Sequence, residues 1–483
     1  MSNLQSLIVI RGGTILTVDP ILGDIVNGAI LIQNGKIVEI SHKIDAFNHI
    51  EGADFFDAKD AIVMPGIVDA HRHDWMSLFR AATTNETLPY FLINTFYPLG
   101  SMFKADHMKA AITVGTLSAI NAGTTTVYQV NDCVNTPDHA YAAIAAMQET
   151  GIRGIYGYGM QVYAFEPIGF ANQLERLACA EQLAKEGLGT DRLEMGMLLS
   201  DFGTVPFSVT AMQIKKAHDL GLKYASHTGA ARTSVLLRGL RELDDHGLLF
   251  PEHLHAHANG LTWEDWKLIA KTGGRVVSTP SSELQMGMGH LPYTPCKEMG
   301  IPFAIGTDLV GCSSDGLFTQ TNLALQNERM LANDRIHARD TMPFDIQIDQ
   351  KDALYWMTMG GAKVLGLDHK IGSLTPGKDA DLIIIRHKNT FVPVMDPVGG
   401  VIQLTHEDDV DTVFIQGKVK KLNGQLLGIN PTQVRAEAMH AFNELTSTYA
   451  NHARLTPQEV EIFWKKAERQ ADVHFSQAYE NNN

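Results

Sequence analysis

Between about residues 65 and 367, short apolar runs recur roughly every 25–45 residues, and the stretches between them carry apolar side chains at helical spacing. A run ending at His73 is followed by Thr124–Val130, Gly154–Tyr158, Leu193–Leu198, Lys223–His227, His255–His257, Arg275–Ser278 and Phe303–Gly306. Eight strand–helix units predict an α/β fold of the (β/α)8 TIM-barrel type, with reactive side chains at the C-terminal ends of the strands.

The two ends of the chain read differently. Ile8-Val9-Ile10 precedes Gly12-Gly13, and Ala29–Ile32 and Ile37–Ile40 flank Asn34-Gly35, a hairpin signal. Strand character returns at Ala380–Ile385 and Thr412–Ile415. The expectation is a small β-sandwich module composed of 1–64 and 368–429, a catalytic barrel over 65–367, and a helical extension over 430–483. Asn430-Pro431 opens one helix. A second opens at Thr456-Pro457-Gln458-Glu459, a capping box with proline at the first helical position and a staple between Leu455 and Val460. Residues 479–483 are expected to fray.

Composition narrows the partners. In 483 residues, 45% hydrophobic and 19% charged content suits a soluble globular protein, and no apolar run is long enough to span a bilayer. A formal charge of −15 argues against nucleic acid or an anionic membrane as partner, since both demand a basic face. The N-terminus lacks the basic region of a signal peptide. Cys133, Cys179, Cys296 and Cys312 are too scattered for a disulfide framework or a zinc ribbon, so a cytoplasmic location is expected. The expected partners are a small-molecule substrate and further copies of the chain in a homo-oligomer.

The first barrel strand carries the chemistry. In Asp69-Ala70-His71-Arg72-His73, alternation puts His71 and His73 on one face and Arg72 on the other. Two converging imidazoles are half of a metal site. Further candidates end other strands: His227, His257, Asp308 and, just past its strand, Glu283. Three imidazoles and a carboxylate suit a first-row divalent ion, which lowers the pKa of a water to about 7.

These motifs, with Met64-Pro65-Gly66-Ile67-Val68-Asp69 and Gly372-Ser373-Leu374-Thr375-Pro376-Gly377-Lys378-Asp379-Ala380-Asp381-Leu382, resemble the amidohydrolase superfamily, in its branch of aminohydrolases and triazine hydrolases. The resemblance spans nearly the whole chain. It implies that His71, His73, His227 and Asp308 hold one divalent metal, zinc first, with iron, cobalt or manganese as substitutes. His257 would act on the substrate, and Asp308 would also carry the proton of the water to the leaving group. His255 is the runner-up for His257, and His253 is expected at the surface. A single metal is implied because the fourth strand, Leu193–Leu199, has no lysine.

The chain departs from that branch at two places. Its deaminases carry glutamate three residues after the fifth-strand histidine, where this chain has Ala230. Pro280-Ser281-Ser282-Glu283 stands where an asparagine is usual, so Glu283 is a candidate replacement acid or substrate ligand. Trp75 is the other candidate substrate contact; Phe79 reads as helix packing, and Asp201 and Asp315 receive no role. The resulting expectation is a metal-dependent hydrolase of an amide, carbamate or urea C–N bond in a small aromatic or heterocyclic molecule. The alternative is a deaminase or dechlorinating aminohydrolase of a heteroaromatic ring. A non-catalytic scaffold is the remaining reading, and the complete ligand set speaks against it.

Overall fold

Ile67–Arg72 begins a run of eight parallel strands, each hydrogen-bonded to the next in chain order: Thr124–Asn131, Arg153–Gly159, Leu193–Leu198, Lys223–Thr228, His253–His257, Arg275–Ser278 and Phe303–Ile305. The structure is a computed structural model that describes residues 7–230, 234–388 and 392–475, without the side chains of 231–238 and 470–475. The tail expected to fray lies outside these residues.

The barrel closes at the active end. Arg72 bridges Asp308, His73 N donates to Asp308 O at 2.9 Å, and Asp308 N donates to His71 O at 2.8 Å. This close approach requires glycine at 306, where a Cβ would lie 2.6 Å from the His71 carbonyl oxygen. Val68, Ala70, Val130, Ile155, Leu198, Ala225, Ala256, Val277 and Ala304 belong to one contiguous buried cluster, so the strands enclose packed side chains. Helices follow most strands, and the fold is the (β/α)8 barrel the periodicity predicts.

Two further sheets flank the barrel. Leu7–Arg11, Ala29–Gln33, Lys36–Ser41 and Asp54–Asp57 form one. Its hairpin turns at Asn34 and Gly35, both in the left-handed region (φ 51° and 81°), as a tight two-residue turn demands. The second sheet draws on both chain ends: Ile62–Pro65 pairs antiparallel with Leu382–Ile385, which pairs with Val410–Ile415.

The helix Pro431–Tyr449 packs on Ala105–Asn121 and Tyr97–Met102. The C-terminal helix Pro457–Phe475 packs on Leu88–Phe91 and Ser234–Asp245. Its capping box forms: Thr456 N donates to Glu459 Oε2 at 2.8 Å, and Glu459 N donates to Thr456 Oγ1 at 3.3 Å. No helix among the described residues is long and apolar enough to cross a membrane.

Candidate active site and metal centre

His71 and His73 face each other across 3.0 Å between their Nε2 atoms, at the end of the first strand. Asp308 Oδ1, from beyond the eighth strand, stands 3.4 Å from His71 Nε2 and 3.1 Å from His73 Nε2. His227 from the fifth strand brings its ring centre to 5.3 Å from that of His71 and 5.4 Å from that of His73. His257 from the sixth lies 5.3 Å from His71 and 5.5 Å from His227, centre to centre. Arg72 points the other way, as alternation requires, into Asp74 (2.5 Å) and Asp315 (3.1 Å).

Two carboxylates hold this cluster from outside: Asp132, which the sequence did not single out, and Asp201, a strand-end acid to which it gave no role. His73 Nδ1 is 2.5 Å from Asp132 Oδ2, and His227 Nδ1 is 2.7 Å from Asp201 Oδ1. Both aspartates follow barrel strands, at the positions where such a fold gathers its reactive groups; that placement was the available signal. Histidines that ligate metals almost always donate their other N–H to such a partner.

The electrostatics fit a cation. Burial alone would lift the Asp308 carboxyl, but hydrogen bonds from His71 and His73 outweigh it and hold the group well below its usual range. Burial lowers His71 to about 3, while for His73 the carboxylates of Asp132 and Asp308 overcome burial and raise it to about 10. Three buried or nearly buried carboxylates thus surround imidazoles with no lysine or arginine among the described residues lining the cavity. The donor atoms of His71, His73 and His227 lie within 4.8 Å of one another, as do those of His71, His257 and Asp308. A divalent ion held by these side chains would balance that charge, so the residues present fit the group.

The remaining expected site residues are placed as follows. His257 Nδ1 is 3.1 Å from Thr279 Oγ1 and 3.3 Å from Glu283 Oε1, and the ring lines the cavity. Its backbone and that of Ala258 are left-handed (φ 73° and 61°), as is Asp308 (62°). Such strain at non-glycine residues clusters at functional sites. It also breaks strand alternation, which is why His255 does not share the cavity with His257. His255 is fully buried, with Nδ1 3.1 Å from Thr228 Oγ1. His253, expected at the surface, is fully buried too, with Nε2 2.7 Å from Ser226 Oγ.

Glu283 and Trp75 do not stand where substrate contact needs them. Glu283 is fully buried, accepts from Ser278 Oγ (2.5 Å) and Thr279 N (2.6 Å), and supports His257 from behind. The short helix Pro280–Gln285 turns it away from the cavity. The turn Asp74–Met76 likewise carries Trp75 inward, where its indole N–H donates to Asp132 Oδ2 at 2.7 Å and its ring meets Phe96 and Phe103. Phe79 is packed core, and Asp315 accepts from Arg72 and Arg80.

The cavity above the cluster holds about 510 Å³. Phe91, Phe96, Tyr97, Met286 and Met288 line it, and the C-terminal helix adds Phe463, Trp464, Ala467 and Glu468. Ala230 lines it as well, so no carboxyl stands three residues after His227.

The sequence profile of the amidohydrolase family matches residues 62–420, well over half of the chain and all of the cluster. The chain belongs to the amidohydrolase family. It is a metal-dependent hydrolase of carbon–nitrogen bonds other than peptide bonds. A 5'-deoxyadenosine deaminase of Methanosarcina mazei is 27% identical over 451 residues, covering 91% of this chain and 98% of that one. A 5-methylthioadenosine/S-adenosylhomocysteine deaminase of Symbiobacterium thermophilum is 27% identical over 85% of this chain and 93% of that one. In fold, the chain is similar to an adenosine deaminase from Xanthomonas campestris with bound zinc (TM-score 0.81, 23% identity, 91% and 98% covered). It is also similar to an atrazine chlorohydrolase from Arthrobacter aurescens complexed with zinc (TM-score 0.76, 21% identity, 90% and 100% covered).

Proposed function

We propose that this amidohydrolase removes an exocyclic amino group, by hydrolysis, from an uncharged heteroaromatic molecule of about nucleoside size. Water and the ring amine give the ring hydroxyl, or its keto tautomer, and ammonia. The observation that carries the reading is the cavity: apolar and aromatic walls rising from the histidine–aspartate cluster, with no lysine or arginine among the described lining residues to favour an anion. The amine-releasing chemistry is supported by the full-length likeness to nucleoside deaminases.

His71, His73, His227 and Asp308 would hold one divalent ion, zinc first, whose chemistry is to polarise a water and bring its pKa toward neutrality. Asp308, its carboxylate beside His71 and His73, would take up the proton of the attacking water and return it to the departing nitrogen. His257, its Nδ1 side occupied by Thr279 and Glu283, turns its other nitrogen to the reacting carbon and its developing charge. A homo-oligomer in the cytoplasm completes the reading.

The second reading is hydrolysis of an aryl amide, carbamate or urea. Ala230 favours it, because an acyl carbon does not need a ring nitrogen protonated before attack. Zinc-loaded protein assayed on 5'-deoxyadenosine, guanine, 4-nitroacetanilide and a phenylurea separates the two. Ammonia from a ring amine is the expected result. Release of 4-nitroaniline with no ammonia from either ring amine would transfer the function to the acyl reading.

A further inference from the structure

Ala230 leaves a chemical vacancy opposite the metal cluster, and the cavity wall offers one group to fill it. Thr204 Oγ1 donates to the Asp201 carbonyl (2.7 Å), and the Trp464 indole donates to Glu468 (3.0 Å). His73 and His227 spend Nδ1 on Asp132 and Asp201 and would give Nε2 to the metal, and His257, its Nδ1 on the Thr279–Glu283 pair, already has its Nε2 assigned to the reacting carbon. Tyr97 remains. Its hydroxyl accepts from Gln161 Nε2 at 2.9 Å, and none of the hydrogen bonds among the described residues uses its own proton.

That orientation is fixed. Gln161 Oε1 accepts from Asp201 N at 3.1 Å, so its Nε2 must face Tyr97. Asp201 in turn holds His227, so the hydroxyl and the metal cluster share one hydrogen-bonded frame. The backbone makes the same point. Leu92–Phe96 is a π-helical turn set between the helices Leu88–Phe91 and Tyr97–Met102. Such insertions re-aim the side chains that follow and are frequent at functional sites. Here the turn is anchored from the C-terminal extension: Tyr449 Oη donates to Asn94 O at 2.7 Å, and Leu455 N donates to Asn94 Oδ1 at 2.8 Å.

We propose that the Tyr97 hydroxyl donates a hydrogen bond to an uncharged acceptor atom of the substrate next to the reacting carbon, in place of the carboxylic acid missing at Ala230. The inference rests on the heteroaromatic reading above and deepens it. Burial and the nearby carboxylates of Asp201 and Asp132 push the phenol upward from its usual range, so it stays protonated at any working pH. It therefore binds the acceptor without handing over its proton, and the enzyme selects rings whose nitrogen is a neutral hydrogen-bond acceptor.

The test compares wild type and Tyr97→Phe on turnover of 5'-deoxyadenosine and on inhibition by its unreactive 1-deaza analogue, which lacks the ring acceptor. Tyr97→Phe should lower kcat/KM for 5'-deoxyadenosine about 10²-fold, the order set by one transition-state donor, while the inhibition constant of the 1-deaza analogue, metal content and melting temperature stay unchanged. Gln161→Leu, which frees the hydroxyl to turn, should lower kcat/KM about tenfold, again without moving that inhibition constant, and covers the case in which Tyr97→Phe fails to fold. An unchanged kcat/KM, or an inhibition constant that moves together with it, in Tyr97→Phe or in Gln161→Leu where only that variant folds, overturns the proposal. No ammonia from 5'-deoxyadenosine with wild type refutes the substrate reading instead. The tyrosine is then judged on 4-nitroacetanilide, where an unchanged rate in the same variant rejects it.

Discussion

Asp132 and Asp201 touch the cluster only through the Nδ1 atoms of His73 and His227. Each fixes a ring's tautomer and direction, so Asp132→Asn and Asp201→Asn should weaken zinc binding by about 10–100-fold, as a competition titration would show. His73→Ala should lose both metal and activity, whereas wild type purified without added metal should carry about one equivalent; two would defeat the single-ion reading. His257→Ala is a different kind of change. It should retain metal and lower turnover by about 10²–10⁴-fold, with Glu283→Gln giving a smaller loss of the same sign. That His71, His73, His227 and Asp308 converge was legible because each lies at the end of a strand that its apolar run announces. Trp75 and Glu283 were misplaced because a one-turn helix after a strand can swing a side chain either way, and nothing in the local residue pattern sets which. The left-handed backbone at His257 and Asp308 was equally hidden, since neither residue type announces it.

Elements outside the barrel shape the cavity. The C-terminal helix lays Phe463, Trp464, Ala467 and Glu468 along its wall, yet among the described residues it takes no part in the cluster's hydrogen bonds. Trp464→Ala should therefore raise KM while leaving kcat and metal content near wild type; an equal fall in kcat would mean the helix also orders the cluster. The sequence announced this helix through its capping box but not its position, because an amphipathic stripe does not name the surface it covers. A second element carries a pH signature. Glu328, in the helix Leu317–His337, is buried, and among the described residues only Thr294 donates to it (3.1 Å). Burial raises its carboxyl to about 7. The folded state thus holds this proton more tightly than the unfolded one, so the group's contribution is intact below pH 4.5 and is lost as pH rises to about 7. The full difference is about 3 kcal/mol. Denaturant titrations of wild type and Glu328→Gln should diverge between these limits, the variant losing less stability as pH rises.

At the scale of the molecule, the histidine–aspartate cluster depends on a sheet that lies outside the barrel. Ile62–Pro65 sits in the composite sheet, and Gly66 alone separates it from the strand that ends at His71 and His73. Glycine is required there, since a Cβ would lie 2.2 Å from Thr125 Oγ1. That much of the plan was readable, because strand character at both chain ends implied a shared sheet. The clamp joining sheet to barrel was not readable, because its partners are 226 and 228 residues apart in sequence. Arg153, on the third barrel strand, places Nε 2.7 Å from Asp381 and a terminal nitrogen 2.8 Å from Asp379, all three side chains buried. Removing one partner of such a group strands the other charges without water, at about 3–5 kcal/mol. Arg153→Met should lower stability by that order. Because one continuous segment runs from the composite sheet into His71 and His73, loosening it should release metal in the same unfolding transition. Calorimetry with a zinc indicator in solution reads both at once. An early transition that leaves zinc bound would show instead that the composite sheet folds and melts independently of the site.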